Sequence, residues 1–352
     1  MRPWPAPIIG LLLVLLGLAA CDSAGTRPAL LDSRPPPGIA PGFLAPPGFA
    51  WGAIKPSGGP ELRYGVSAPE GAGRRGQVLI LPDPDEPAEV WFETARALNQ
   101  AGFVVWLFEW GAFGGSGRTL APFDMVHAAN AAAGPQAVAA LVAHVIAPGP
   151  ERPLTIMSSG DSANIALQAL QLGTPAAAVI FSAPQAGEAR SLRTWERLAL
   201  RVGLGRLPAP EWRPWSRAES ERATPVGSDP WRGRLTHSWR LANPDLRQGG
   251  VSLGWRAIGA ETRWTGLPEP PAVNQILILT DTPTGAGPAG RCQLPTGCSL
   301  VVQPDLGPSP HLAKTSVREP WLLEILAFLG GRSPETVPSF VDEPPSDAPP
   351  VG

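Results

Sequence analysis

Through the middle of the chain, apolar residues come in short unbroken runs, and stretches with helical spacing separate them. Gln77–Leu81, Phe103–Phe108, Leu154–Met157, Ala177–Phe181, Gln275–Leu279 and Ser299–Val302 read as strands. Ala88–Ala101 has helical spacing, with Val90, Trp91, Thr94, Ala95 and Leu98 on one side. Gly134–Ile146, Asn164–Leu172 and the closing Trp321–Leu329 read as helices too. Strands that are apolar throughout, not alternating, are covered on both faces. The pattern therefore predicts an α/β fold, a mostly parallel sheet with helices on both sides.

The ends of the chain break this pattern. Residues 22–60 and 332–352 are rich in Pro, Gly and Ala, and they read as a tether and a disordered tail around one domain at 61–331. Ahead of them, Arg2 and the apolar run Ile8–Leu18 form a targeting segment too short to span a bilayer. Leu18-Ala19-Ala20-Cys21 ends it and resembles the bacterial lipobox, in which the cysteine is lipidated and becomes the first mature residue. An ordinary signal peptide, or a buried cysteine, is the plainer alternative. The lipobox reading makes residues 1–21 a leader and attaches the protein by Cys21 to the periplasmic side of a bacterial envelope. Asp22 resembles the signal that keeps some lipoproteins in the inner membrane.

Composition narrows the chemistry. A net charge of −2 and no basic stripe argue against a nucleic-acid partner. Cys292 and Cys298 flank a Pro-Thr-Gly turn, so an oxidising compartment would join them across a hairpin loop. Two cysteines with no histidine nearby make an incomplete zinc site, and His127, His144 and His237 lack ligand spacing. No metal or other cofactor is expected. Gly114-Gly115-Ser116-Gly117 lacks the lysine of a phosphate loop and reads as a structural turn.

The most informative stretch is Pro153–Leu170, PLTIMSSGDSANIALQAL: a strand, a tight run of small residues, then a helix. Serine hydrolases expose their nucleophile on such an elbow. Gly160-Asp161-Ser162-Ala163-Asn164 matches GxSxG in part, with asparagine for the second glycine. Together with ELRYGV, WFETARALNQAGFVVWLFEWGAFGGSGR, NIALQAL and FSAP, it gives the chain a resemblance to the α/β-hydrolase fold family, in its lysophospholipase and monoacylglycerol lipase branch. LANPDLRQGG and LGW resemble that family's cap, here an insert at about 185–264. The resemblance covers roughly residues 60–329. It implies a helical cap, a lipid or acyl-ester ligand, and a Ser-His-Asp triad hydrolysing esters of glycerol or lysophospholipid.

The same resemblance exposes departures. Aligned without gaps by its strand and helix, the elbow has Gly160 where the family has serine. Glycine carries no nucleophile. Ser162 would serve only after a shift of two residues, and Ser159 after a shift of one. Leu81-Pro82-Asp83-Pro84 replaces a His-Gly type loop and puts Pro84, which has no N–H, at an oxyanion-donor position. Asp83 would add negative charge there. His311 matches the catalytic histidine. For the acid, Thr284 falls near the family position, and Asp281 or Asp305 could substitute. Two readings remain: a membrane-anchored pseudohydrolase that binds a lipid or partner, or an active esterase using Ser162, Asp281 and His311. Trp212, Trp215 and Trp231 either line a lipid site or pack the cap.

Overall fold

The computed structural model describes residues 25–56, 58–71, 75–185, 192–261, 273–281 and 297–330. The unbroken apolar runs form the sheet. Its strands are β1 (Ala50–Ile54), β2 (Leu62–Ser67), β3 (Gly76–Leu81), β4 (Phe103–Phe108), β5 (Leu154–Ser159), β6 (Ala178–Ser182), β7 (Gln275–Thr280) and β8 (Cys298–Val302). They lie in the order β1-β2-β4-β3-β5-β6-β7-β8. From β4 to β8 all neighbours are parallel, and β1 and β2 add an antiparallel edge. This agrees with the mostly parallel sheet read from the pattern.

Alternate residues of each strand fill two cores, one on each face. Leu79, Leu81, Ile156, Phe181 and Ile278 meet helices α2 (Ala133–Leu141) and α3 (Ser162–Gln171). Val78, Ile80, Met157, Ile180 and Leu277 meet α1 (Phe92–Gln100) and α8 (Thr315–Gly330). α8 starts six residues before the expected Trp321, because Pro320 interrupts the helix pattern without ending the helix. It gives up one backbone hydrogen bond at an exposed position. Between β6 and β7, where the cap is expected, lie α4 (Thr194–Arg201), α5 (Arg217–Arg222), α6 (Leu235–Ala242) and α7 (Leu253–Glu261).

The segment expected as a tether is packed on the domain from residue 25 onward. Arg27 and Arg118 exchange backbone hydrogen bonds of 2.8 and 2.9 Å, and Arg34 pairs with the Asn243 amide at 2.7 and 2.9 Å. Leu30, Ile39, Phe43 and Phe49 lie against the second core, and Ala50–Ile54 becomes the edge strand. Proline holds a chain extended whether it hangs free or wraps a surface. Composition reports the stiffness and not the contact.

A buried ion cluster joins β2, β4 and the turn at 114–117. Arg63 is fully buried and bonds both carboxylate oxygens of Glu89 (2.8 and 3.0 Å) and of Glu109 (2.7 and 3.0 Å). Glu109 also accepts the Gly115 N–H at 2.8 Å, and the Ser116 hydroxyl receives the Arg63 N–H at 2.9 Å. A Cβ on Gly115 would lie 2.2 Å from the guanidinium carbon. The glycines are there so that the loop can close on Arg63, which makes this run the structural turn expected.

Candidate active site

β5 ends at Ser159 and α3 begins at Ser162, so Gly160 stands at the apex of a strand–turn–helix elbow. Its φ of +55° lies in the left-handed region, which glycine enters without the Cβ penalty. The apex side chain's space is already filled. A Cβ on Gly160 would lie 1.9 Å from Asp83 Oδ2. That oxygen accepts the Asp161 N–H at 2.9 Å. In a hydrolase elbow the N–H following the nucleophile is one of the donors to the oxyanion. Here it is taken by the Asp83 side chain, from the loop after β3. The neighbouring Pro84 has no N–H, and its carbonyl accepts the Gln248 amide at 2.6 Å.

Ser162 lies inside the helix with no exposed surface (0%). Its hydroxyl accepts the Trp110 indole N–H at 2.7 Å and donates to the Pro82 carbonyl, so both of its capacities are used. Trp110 in turn stacks on Trp255 of α7 and sits edge-on to Phe113. Ser159 is also buried, and its hydroxyl finds no hydrogen-bond partner among the described residues.

His311 is 1% exposed and stacks on Trp91, with ring centroids 3.8 Å apart. Its Nε2 is 3.2 Å from Glu86 Oε2. This is ion-pair distance, yet neither ring nitrogen has a well-aligned hydrogen bond among the described residues. Nε2 is the nitrogen that faces the hydroxyl in a Ser-His-Asp triad. Glu86 also receives the Ser309 hydroxyl at 3.0 Å and the Trp91 indole at 3.2 Å. Arg318 donates to the His311 carbonyl at 3.2 Å and lies 3.4 Å from Glu93. The bidentate pair Arg232–Glu93 (2.8 and 2.9 Å) fastens the cap to the same corner.

The electrostatics of the two loop carboxylates differ in sign. Burial, with Asp85, Asp161 and Glu86 nearby, pushes the Asp83 carboxyl well above its ordinary range, although one side of the residue still reaches solvent. Burial would also raise Glu86, but the facing His311, Ser309 and Trp91 bring it below the ordinary range. Glu86 therefore stabilises the fold at neutral pH, and that contribution is lost as pH falls through its lowered pKa. Asp83 runs the other way. Its charge costs stability once pH rises through the raised folded-state pKa, and costs nothing below the ordinary aspartate range near pH 4. Asp83→Asn keeps an acceptor for the Asp161 N–H and drops the charge. The variant should melt roughly 2–4 °C above the parent near pH 7.5 and together with it near pH 3.5. Equal melting temperatures near pH 7.5 would count against a strained carboxylate.

The remaining expected site residues are dispersed. Asp281 is exposed just beyond β7 and Asp305 is exposed with φ +62°, and neither bonds His311. Thr284 and Cys292 lie outside the described residues, as does Cys21. Cys298 is disulfide-bonded. His127 and His237 face the Ser252 and Ser220 hydroxyls at 2.8 and 3.1 Å. Among the described residues no group of three or more His, Cys, Asp or Glu could hold a metal. Trp212, Trp215 and Trp231 are half-buried, with the Arg247 guanidinium over the Trp215 ring at 4.5 Å. Glu86, Trp91 and Trp110 were not legible as site residues. Each reads as an ordinary loop or core residue until the fold brings it to His311 or Ser162.

No family model and no curated protein matches the chain. Solved structures do. A highly thermostable carboxyl esterase from Bacillus coagulans matches with a TM-score of 0.59 at 13% identity, over 80% of this chain and 98% of that one. A monoglyceride lipase from Saccharomyces cerevisiae gives 0.54 at 12% identity, over 80% and 95%. A monoacylglycerol lipase from Paleococcus ferrophilus gives 0.54 at 12% identity, over 76% and 98%. At such identities the likeness is one of fold.

Proposed function

From the α/β-hydrolase fold of this chain, we propose that it is a pseudohydrolase, which keeps the frame and cap of a lipase and binds a lipid or a partner where a lipase would cleave an ester. The carrying observation is the Asp83 carboxylate, which occupies the apex side-chain space at Gly160 and takes the Asp161 N–H. A side chain fixed there occupies both the place of the nucleophile and the N–H that the oxyanion of acyl transfer would need. The loop that carries it also places Glu86 against His311 Nε2. The proposal includes attachment to the periplasmic face of a bacterial envelope through Cys21, supported by the apolar run that ends at Leu18-Ala19-Ala20-Cys21. Among the described residues no helix is long and apolar enough to cross a membrane.

A fluorophosphonate probe, which reacts with activated serines, tests this reading. The expected result is no labelling of a protein that melts cooperatively. Ser162→Ala should leave labelling unchanged and cost about 1–3 kcal/mol, because the Trp110 N–H and the Pro82 carbonyl lose their partner. Labelling that disappears in Ser162→Ala or Ser159→Ala, and in His311→Ala, would overturn the proposal in favour of an active esterase.

A further inference from the structure

At the end of the sheet opposite the elbow, the parallel strands begin around a cleft of about 260 Å³. Gln77 of β3, Thr155 of β5, Ala178 of β6 and Gln275 of β7 line it. These strands are neighbours, and at about 4.8 Å per strand their amino ends span roughly 15 Å. Phe328 and Leu329, half-buried in the last turn of α8, form one wall. A second cleft of about 400 Å³ shares Pro153 and Ala177 with the first and continues it past Pro148, Pro150 and Pro175. Its lining is apolar apart from Thr174. The two clefts make one groove.

Two exposed cations flank it. A Cβ on Gly330 would lie 3.5 Å from Arg75 Nη1, so this guanidinium sits against the end of α8. Arg152 precedes Pro153, and its carbonyl accepts the Gln77 amide at 3.3 Å. Among the described residues no carboxylate pairs with Arg75 or Arg152, the adjacent Glu151 included. The chain leaves α8 at this groove. Residues 333–352, SPETVPSFVDEPPSDAPPVG, carry four acids, six prolines and no Lys or Arg. Val337, Phe340 and Val341 form an apolar stretch between Glu335 and the pair Asp342-Glu343. Extended at about 3.1 Å per residue, Glu335–Glu343 reaches about 25 Å, enough to cross the four strand ends. Its prolines reduce the freedom lost on docking. Attachment at Gly330 holds it at a roughly millimolar effective concentration, which favours it over the tail of a second copy. The N-terminal segment sets the precedent in this chain: it too reads as a tether, yet Leu30, Ile39 and Phe43 pack on the second core.

We infer that Glu335–Glu343 docks in this groove as an intramolecular clasp across the amino ends of β3, β5, β6 and β7. Glu335 meets Arg75, the stretch Val337–Val341 fills the groove, and Asp342-Glu343 meets Arg152. The clasp lies at the far end of the sheet from Gly160, so it stands whatever the catalytic state of the elbow and whether or not Cys21 carries a lipid.

The test uses residues 21–352 with Cys21→Ser, which hold every described residue and carry no acyl chain. Benzoylphenylalanine replaces Phe340, the protein is illuminated, and mass spectrometry maps the cross-linked peptides. The expected products join position 340 to Pro153, Ala177 or Phe328 of the same chain. Arg75→Glu with Arg152→Glu should lower their yield about fivefold or more. Adding Glu335→Arg, Asp342→Arg and Glu343→Arg to that variant should restore most of it. Val337→Asp with Val341→Asp should lower the yield as far, with no change to the groove itself. The two arginines are exposed, so their variants should melt with the parent. No cross-link, cross-links that fall elsewhere on the domain, or yields that ignore the charge reversals would overturn the inference. So would a product found only between chains that grows with protein concentration, since that makes the tail of a second copy the occupant.

Discussion

Replacing Arg63 with methionine is expected to remove about 3–5 kcal/mol of stability, more than the loss of the Ser162 hydroxyl. The guanidinium is fully buried, engages both oxygens of two carboxylates, and lies 3.9 Å from the Trp51 ring centroid. Methionine fills much of the volume but leaves Glu89 and Glu109 buried with no counter-charge. It also leaves the turn at 114–117 closed on nothing, because that turn is built against Arg63 and Glu109. The half-exposed pair Arg27–Asp245, 3.2 Å apart, is the contrast: Arg27→Gln should cost less than about 1 kcal/mol. Urea unfolding of the two variants decides. A loss below about 1 kcal/mol for Arg63→Met would mean that the cluster relaxes without its cation, and that the loop owes its shape to something else.

Placing a serine at the apex should not restore a hydrolase. Gly160→Ser is expected to cost roughly 2–3 kcal/mol: about 1–2 for a Cβ in the left-handed region and about 1 for the hydrogen bond that Asp83 gives up when it swings aside. The collision is with Asp83 Oδ2, at 1.9 Å from the new Cβ, so the two positions must be coupled. Asp83→Ala combined with Gly160→Ser should therefore be less destabilised than the sum of the single changes by about 1 kcal/mol. Additive losses would show that the carboxylate does not compete for the apex space. Even the double variant should resist fluorophosphonate, because Glu86 still sits at His311 Nε2 and Pro84 still lacks an N–H.

The elbow and the charges around it were unequally visible in the chain. Gly160 at the apex followed from the order of a strand, small residues and a helix, all within about a dozen positions. The central strands were legible because burial on both faces makes Val78–Leu81 or Val104–Phe108 apolar without interruption. β1 and β2 were missed for the converse reason. Ala50–Ile54 lies half-exposed at an edge, and Leu62–Ser67 alternates around Tyr64 and a glycine, so neither forms an apolar run.

The state of the site could not be read in this way. Asp83 showed in the sequence only as a negative charge near the elbow; that its carboxylate fills the apex space and bonds Asp161 depends on two loops 78 residues apart. Glu86 meets Ser309, and beside it His311, across more than 220 residues. The same holds for Ser162, whose hydroxyl looked free until Trp110 and Pro82 were placed around it. Short-range order was written in local composition, because backbone propensity and two-sided burial act on consecutive residues. Which charge faces which histidine was decided only when the sheet brought the carboxyl ends of β3 and β5 and the loop after β8 to one corner, since electrostatic contact depends on distance in space and not along the chain.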